Sequence, residues 1–150
     1  MAAPQVGAAG CTCGCTGGST LASARKYQES DWRQQLQVLA TFVAVNKQVD
    51  VGMARGIADE NEPKQAFLLS MWVAPDARGR GVGEALIQAV AHWARAAGHS
   101  RLLLDVADVN QPAVALYERM GFEPTGATGS LPSPREHIRE HRRALDLYGC

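Results

Sequence analysis

Residues 67–86 read FLLSMWVAPDARGRGVGEAL, a run that predicts a strand, a glycine-rich loop and the start of a helix in succession. The segment from Phe67 to Val73 is apolar and suits a buried strand, and Ala74-Pro75 ends it. Glycines leave the loop backbone without Cβ atoms, so several N–H groups can converge on one anion where the helix N-terminus adds partial positive charge. The run therefore predicts a site for a pyrophosphate group.

The spacing of the glycines excludes two common phosphate-binding loops. A Walker loop ends in Gly-Lys-Ser or Gly-Lys-Thr, and no lysine follows Gly83. A dinucleotide fingerprint reads G-x-G-x-x-G, whereas Gly79, Gly81 and Gly83 fall at every second position. The pattern that remains is Arg78-x-x-Gly81-x-Gly83 after a strand end. A plain glycine-rich helix start is the structural alternative.

Composition favours one soluble globular domain, since the 150 residues are 46% hydrophobic and 20% charged. Fifteen basic and fifteen acidic residues cancel, so no general attraction to nucleic acid or to a membrane surface is expected. No apolar run approaches the roughly 18 residues of a membrane span, and the N-terminus does not resemble a signal peptide. We expect a cytoplasmic protein.

The N-terminal part of the chain differs in composition from the remainder. Residues 1–27 are rich in small residues, and residues 7–18 read GAAGCTCGCTGG, which uses only the letters A, C, G and T. We predict a low-complexity head over 1–27, disordered or artefactual, and a folded domain over 28–150. Three of the four cysteines, Cys11, Cys13 and Cys15, lie in this head and the fourth is Cys150. Their spacing favours free thiols over disulfides or a metal site.

Hydrophobic periodicity and turn residues predict the order of the secondary structure. A short helix begins at Ser30 or Asp31 and includes Leu39 and Ala40. A strand, a helix and a second strand follow the N-terminal hairpin, which implies parallel neighbouring strands joined by a crossover. The predicted strands are 41–45, 51–55, 66–73, 101–106, one that begins over 122–126 and one within 136–147. The predicted helices are 83–97, ended by Gly98, and 110–120, ended by Gly121, and 129–134 is a predicted loop.

A second pattern follows the strand LLLDV and reads Asn110-x-x-Ala113-x-x-Leu116-Tyr117-Glu118-x-x-Gly121-Phe122. Together with the Arg78 to Gly83 pattern it resembles the paired acetyl-CoA motifs of the GNAT N-acetyltransferase superfamily, in the same order and at the usual separation. The resemblance covers residues 31–147. It implies an α/β fold with a mixed central sheet, two splayed parallel strands and flanking helices. The family's N-terminal strand and helix are missing here or replaced by the head.

The resemblance also implies an activity and a cofactor site. The activity is transfer of an acetyl group from acetyl-CoA to a primary amine, by direct attack in a ternary complex. Strand residues would hold the pantetheine arm, loop residues the pyrophosphate, and Asn110 would contact the cofactor or fix its loop. The implied cofactor contacts are Met71, Trp72, Val73, Arg78, Gly79, Arg80, Gly81, Val82, Gly83, Glu84 and Asn110.

Two residues are candidates for acid–base chemistry. Tyr117 matches the tyrosine that often protonates the departing CoA thiolate in this family, and a thiolate with a free pKa near about 8.5 leaves more easily when a donor is present. A packed core tyrosine is its structural alternative. Asp105 stands where some family members carry a glutamate, and it is the candidate base, although a salt-bridged strand residue fits equally well. Glu60 and Glu62 are weaker candidates.

The acceptor is not determined by the sequence, because one fold serves many substrates. Small-molecule and peptide amines both remain open, with the acidic turn over 59–62 favouring a cationic acceptor. A homodimer is also left open. The alternative function is a non-catalytic acyl-CoA-binding or regulatory module, which turnover of acetyl-CoA would distinguish from an enzyme.

Overall fold

The computed structural model describes residues 39–149, together with Gln28 and Ser30. Within these residues the chain forms a six-stranded sheet and two α-helices, and a short 3-10 turn at Pro75–Ala77 follows the third strand. The strands are β1 Ala40–Asn46, β2 Val49–Ala58, β3 Gln65–Val73, β4 Arg101–Ala107, β5 Glu123–Ser130 and β6 Arg139–Asp146. The helices are α1 Val82–Ala96 and α2 Gln111–Arg119.

The sheet is mixed, as the sequence predicted. Its strand order is β1-β2-β3-β4-β6-β5. β1, β2 and β3 pair antiparallel, β3 and β4 pair parallel, and β6 pairs antiparallel with both β4 and β5. The parallel pair requires a crossover, and α1 supplies it. The β3–α1–β4 unit is therefore the central feature of the fold.

Most predicted elements are confirmed, with two corrections at their ends. Ala40 was predicted to lie in a helix, but it begins β1 and pairs with Gly56 of β2, because pairing across the sheet outweighs local spacing at this boundary. β5 continues through Gly129 to Ser130, into the predicted loop 129–134, because both residues pair with β6. Gly98 and Gly121 follow α1 and α2 with φ of 89° and 93°, as expected for glycines that end helices.

Several predictions concern residues outside the described part of the chain. These are the head over 1–27, the cysteines, the missing N-terminal strand and helix, and most of the helix that was predicted to begin at Ser30 or Asp31. Ser30 itself is described, and it is helical and exposed. No helix among the described residues is long and apolar enough to span a membrane.

α1 packs against the sheet closely because β2 has glycines beneath it. A Cβ atom on Gly56 would lie 2.5 Å from the indole ring of Trp93, and one on Gly52 would lie 3.0 Å from Leu86. The buried residues of α1 are Leu86, Ile87, Val90, Ala91 and Ala94.

We predict that Gly56→Val lowers the free energy of unfolding by about 1–3 kcal/mol, because the new side chain must displace the ring of Trp93. Gly129→Val in β5 is the control, because a Cβ there has no atom within 4 Å, and it should change stability by less than about 0.5 kcal/mol. Urea denaturation of the wild type and of the two variants measures both changes in the free energy of unfolding. Equal losses at the two positions would contradict the close packing of α1 on β2.

Candidate active site

The parallel strands β3 and β4 separate after a short region of pairing. Only Gln65, Ala66 and Phe67 of β3 pair with β4, although β3 continues to Val73. β4 likewise continues to Ala107, four residues beyond its last partner, Leu103. Residues 68–73 and 104–107 therefore form the two sides of an open fork. The splayed parallel strands that the sequence predicted are confirmed.

β3 also carries a β-bulge beside this fork. Arg55 pairs with Leu69 and Met53 pairs with Trp72, so Ala54 of β2 faces two residues of β3. One of the two is Ser70, whose φ is 52°, in a region that non-glycine residues seldom occupy. A bulge changes the direction of the following backbone groups. It therefore alters the backbone direction of β3 where pairing to β4 has ended.

The loop after β3 leads directly into α1. Arg78 folds back, and its Nε donates a hydrogen bond to the carbonyl oxygen of Val73 at 3.1 Å. Gly79 and Gly81 have φ of 73° and 82°, which require glycine, and a Cβ on either would meet no atom within 4 Å. Gly81 is the N-cap of α1 and has no side chain to cap the helix. The first backbone N–H groups of α1 are thus left for a ligand or solvent.

α2 forms the opposite wall of the site. Asn110 is its N-cap, and its Oδ1 accepts a hydrogen bond from the backbone N–H of Ala113 at 3.4 Å. Tyr117 is only 1% exposed and makes an edge-to-face contact with Phe122 at 5.7 Å between ring centroids. A Cβ on Gly83 would lie 2.9 Å from Leu116, so glycine allows α1 and α2 to approach closely. Tyr117 therefore lies at a packed junction between the helices and the sheet.

The end of β3, the loop and α2 enclose one groove of about 580 Å³. It brings together eleven of the thirteen candidate residues, and Arg80 and Asp105 do not line it. The candidates that line it are Met71, Trp72, Val73, Arg78, Gly79, Gly81, Val82, Gly83, Glu84, Asn110 and Tyr117. Residues that were distant in the sequence thus share one concave surface, which is the usual form of a small-molecule site.

Asp105 lies on the other face of the sheet. Its neighbours Leu104 and Val106 belong to the core beneath the helices, so side-chain alternation directs Asp105 away from them. Its two carboxylate oxygens accept hydrogen bonds from Nε and Nη2 of Arg142, each at 2.9 Å. Hydrogen bonding to Asp105 is the main cause that raises the pKa of Arg142 above its ordinary value. The salt-bridged interpretation of Asp105 matches this geometry.

The ion pair also lies close to the point where the strands separate. The guanidinium carbon of Arg142 is 5.1 Å from the ring centroid of Phe67, the last residue of β3 that pairs with β4. A cation over an aromatic face is attracted by the ring quadrupole. Tyr117 belongs to the core cluster that contains Leu104 and Val106, so Asp105 and Tyr117 lie on opposite faces of the sheet.

Sequence reasoning missed three features of the site. The bulge at Ser70 had one signal, a polar residue within an apolar strand. Arg119 lines the groove. It lies inside the second pattern, two residues before Gly121-Phe122, but that pattern did not indicate a role for it. Arg143 holds the end of α2, since its Nη1 donates to the carbonyl oxygen of Phe122 at 3.3 Å and its Nη2 to Glu118 at 3.0 Å. Among residues 39–149 no group of three or more His, Cys, Asp or Glu side chains could hold a metal ion.

Comparison with known proteins adds independent evidence. The sequence profile of the Acetyltransferase (GNAT) family matches residues 17–122. Streptothricin acetyltransferase of Streptomyces lavendulae is 32% identical over 107 residues, which cover 71% of this chain and 57% of that protein. IAA acetyltransferase of Azospirillum brasilense is 33% identical over 111 residues, which cover 71% of this chain and 72% of that protein.

The fold comparison agrees with the sequence comparison. The crystal structure of nourseothricin acetyltransferase superposes with a TM-score of 0.68 at 28% identity, over 73% of this chain and 66% of that chain. The matched part of the chain spans between 39% and 57% of the length of the first curated relatives. The family match covers more than half of the 150 residues and includes the fork, the glycine loop and the whole of α2. The chain therefore belongs to the acetyltransferase (GNAT) family.

Proposed function

We propose that the chain is an acetyl-CoA-dependent N-acetyltransferase that transfers the acetyl group to a primary amine by direct attack in a ternary complex. One observation carries the proposal. The groove joins the end of β3, beyond its pairing with β4, to the glycine loop at the start of α1. A long ligand with an extended amide-containing arm and an anionic end requires these two features in one continuous surface.

The residues present fit acetyl-CoA. On its β4 side, β3 has no strand partner beyond Phe67 among the described residues, so its backbone can pair with an extended arm in the manner of an added strand. Gly79 and Gly81 leave the loop open to a bulky anion, and the N-terminus of α1 favours negative charge there. When bound, acetyl-CoA supplies an activated thioester carbonyl and a thiolate leaving group.

In this proposal each wall of the groove has its own task. Met71, Trp72 and Val73 bind the arm through their backbone groups. The amides of residues 79–84 bind the pyrophosphate, and Arg78 positions that loop through its bond to Val73. Asn110 caps α2 and so fixes the wall that carries Tyr117. These tasks are supported by the position of the residues on the groove.

Proton transfer is assigned to two residues on opposite sides of the fork. Tyr117 donates the proton of its phenol to the departing thiolate on the helix side. Asp105 accepts a proton from the acceptor ammonium on the other face of the sheet, where Arg142 binds its carboxylate and the ring of Phe67 contacts the guanidinium of Arg142. An amine is mostly protonated near neutrality, so removal of that proton must precede attack. The separation of the two residues suits entry of the acceptor from the face opposite the helices.

The acceptor is proposed only by class, as a small-molecule or peptide amine. The names of the relatives indicate different acceptors, since one is a streptothricin acetyltransferase and another an IAA acetyltransferase. Asp59 and Glu140 join Asp105 in raising the pKa of Arg142 through their charges, so negative charge surrounds this guanidinium. That surrounding charge favours a cationic acceptor over an anionic one.

Turnover of acetyl-CoA with a panel of amines tests the function. The panel should include a polyamine, an aminoglycoside, a lysine peptide, a peptide with a free N-terminus and a neutral aromatic amine, with release of free thiol as the readout. We expect turnover with at least one cationic member. Binding of acetyl-CoA without turnover of any amine would favour the alternative, a non-catalytic acyl-CoA-binding module. Failure to bind acetyl-CoA would overturn both.

We predict that acetyl-CoA raises the melting temperature and that Gly81→Glu abolishes this rise, because the carboxylate occupies the anion site. A ligand at 100 times its Kd adds about 2.7 kcal/mol, which thermal denaturation detects easily. Gly81→Ala is the control. Both variants bear the strain of a side chain at φ 82°, but only glutamate brings charge. A normal rise in Gly81→Glu would contradict the assignment of the loop.

We predict that Tyr117→Phe lowers turnover by about 10²–10⁴ while binding of acetyl-CoA stays nearly unchanged, because only the proton donor is removed. The loss should diminish toward high pH, where the thiolate leaves without protonation. Tyr148→Phe is the control, since that hydroxyl bonds to the carbonyl oxygen of Arg95 and does not line the groove. A structural hydroxyl would instead lower stability by about 1 kcal/mol and leave turnover per folded molecule unchanged.

A further inference from the structure

Glu140 of β6 lies on the face of the sheet that carries Asp105. In the register of β4 and β6, Arg142 is opposite Asp105, and Glu140 is opposite Ala107. Side chains two residues apart on a strand point to the same face, so Glu140 shares the face of Arg142, away from the helices. Ala107 is the last residue of β4 and lies beyond Leu103, where the pairing with β3 ends. Glu140 is therefore beside the open end of the fork.

One oxygen of the Glu140 carboxylate is left without a donor. Oε1 is buried and accepts no hydrogen bond from any of the residues that the structure describes, and the residue as a whole is partly exposed. A buried carboxylate oxygen without a donor costs free energy, because the hydration that it lost is not replaced. A cationic donor on a ligand would offset that cost.

The cation on the same face is already engaged with another carboxylate. Nε and Nη2 of Arg142 both donate to Asp105, each at 2.9 Å. Hydrogen bonding to Asp105 is the main cause that raises the pKa of Arg142, whereas Glu140 contributes only through its charge. The pair of Asp105 and Arg142 is neutral in itself, so it leaves the negative charge of Glu140 uncompensated.

The neighbours of Glu140 along β6 are also engaged elsewhere. Nη2 of Arg139 donates to Oγ1 of Thr128 at 3.4 Å, and Nε2 of His141 lies 2.9 Å from Oδ1 of Asp108. Arg139 and His141 alternate with Glu140 on the strand, so they point to the other face of the sheet. Neither side chain is therefore placed to pair with Glu140.

Small residues flank Glu140 on both neighbouring strands. Ala107 is opposite it on β4, and Gly129 is opposite it on β5. A Cβ on Gly129 would meet no atom within 4 Å, so the surface beside Glu140 is open on that side. Glu140 and Asp105 are offset by two residues along paired strands, which is roughly 7 Å at about 3.4 Å per residue. One short molecule can therefore reach both carboxylates.

We propose that the acceptor is a dicationic amine, whose reacting amine lies at Asp105 and whose second, protonated nitrogen binds the carboxylate of Glu140. The inference rests on the proposed function, because it requires an acceptor on this face of the sheet. The second nitrogen donates to the carboxylate and keeps its proton throughout, so none of its bonds forms or breaks. Glu140 selects the acceptor by charge, whereas Asp105 takes the proton of the amine that reacts.

Three acceptors with carbon chains of the same length test the proposal. Putrescine ends in a second ammonium, butylamine in a methyl group and γ-aminobutyrate in a carboxylate. We expect kcat/KM of the wild type to be about tenfold or more higher for putrescine than for butylamine, as for one hydrogen bond between charged groups. Glu140→Gln should abolish this preference through a higher KM for putrescine, and its kcat/KM for butylamine should be unchanged.

The competing explanation is that Glu140 acts on Asp105 through the charge of Arg142. Glu140→Gln would then change kcat/KM for putrescine and butylamine by the same factor, and that outcome would overturn the proposal. The ratio of the two values within one variant does not depend on the fraction of the protein that is folded. A variant of lower stability therefore still gives a decisive result.

A reversed charge and a matched control complete the experiment. Glu140→Lys should prefer γ-aminobutyrate to putrescine, because the new ammonium attracts a carboxylate and repels a cation. Glu123→Gln removes the same charge from an exposed residue of β5 opposite Ala144, four residues and about 14 Å along β6 from Glu140. It should retain the preference for putrescine.

The wild type distinguishes this proposal from the proposed function. A wild type that turns over putrescine no faster than butylamine, while it acetylates any member of the amine panel, overturns the dicationic acceptor alone. The absence of turnover with every amine overturns the proposed function as well.

Discussion

The parallel pairing of β3 and β4 ends at Phe67 and Leu103, and the remaining features of the site depend on this ending. β3 continues for another six residues to Val73, so one side of its backbone leaves the sheet's hydrogen bonding while the strand stays extended. Burying backbone N–H and C=O groups without hydrogen-bond partners costs free energy. The unpaired edge of such a strand must therefore be solvated or paired by a ligand. Among the described residues, the fork therefore leaves one edge of β3 open to solvent or to a ligand.

The two strands can separate because each is held by its outer neighbour. β4 pairs with β6 along its whole length, from Arg101 to Ala107, and β3 pairs with β2 up to Val73. At the fork the sheet therefore loses only the hydrogen bonds between β3 and β4. The helices then occupy one face of the opening, and the absence of a Cβ on Gly83 lets Leu116 and Met71 approach the start of α1 closely.

The two faces of the sheet carry different side chains at the fork. Residues of β4 alternate between the buried core under the helices and the opposite face, so Leu104 and Asp105 point to different environments. The helix face offers a buried phenol, glycine amides and a rim with both charges. The other face offers a carboxylate held by a guanidinium. The sheet therefore separates the buried phenol of Tyr117 from the carboxylate of Asp105.

The sequence by itself determined the order of the elements and most of the candidate residues that line the groove. The apolar run before Ala74-Pro75, the alternating glycines and the second pattern after LLLDV are local signals, because strand ends, tight loops and helix caps are formed by neighbouring residues. The tertiary structure alone decided the register and the cross-chain contacts. Ser70 lies in a bulge because β2 contributes one residue fewer there. Asp105 is paired because β6 brings Arg142 beside it, and Arg119 faces Glu84 because the end of α2 lies beside the first turn of α1. These contacts join residues far apart in the chain, and no local pattern encodes which residues will meet.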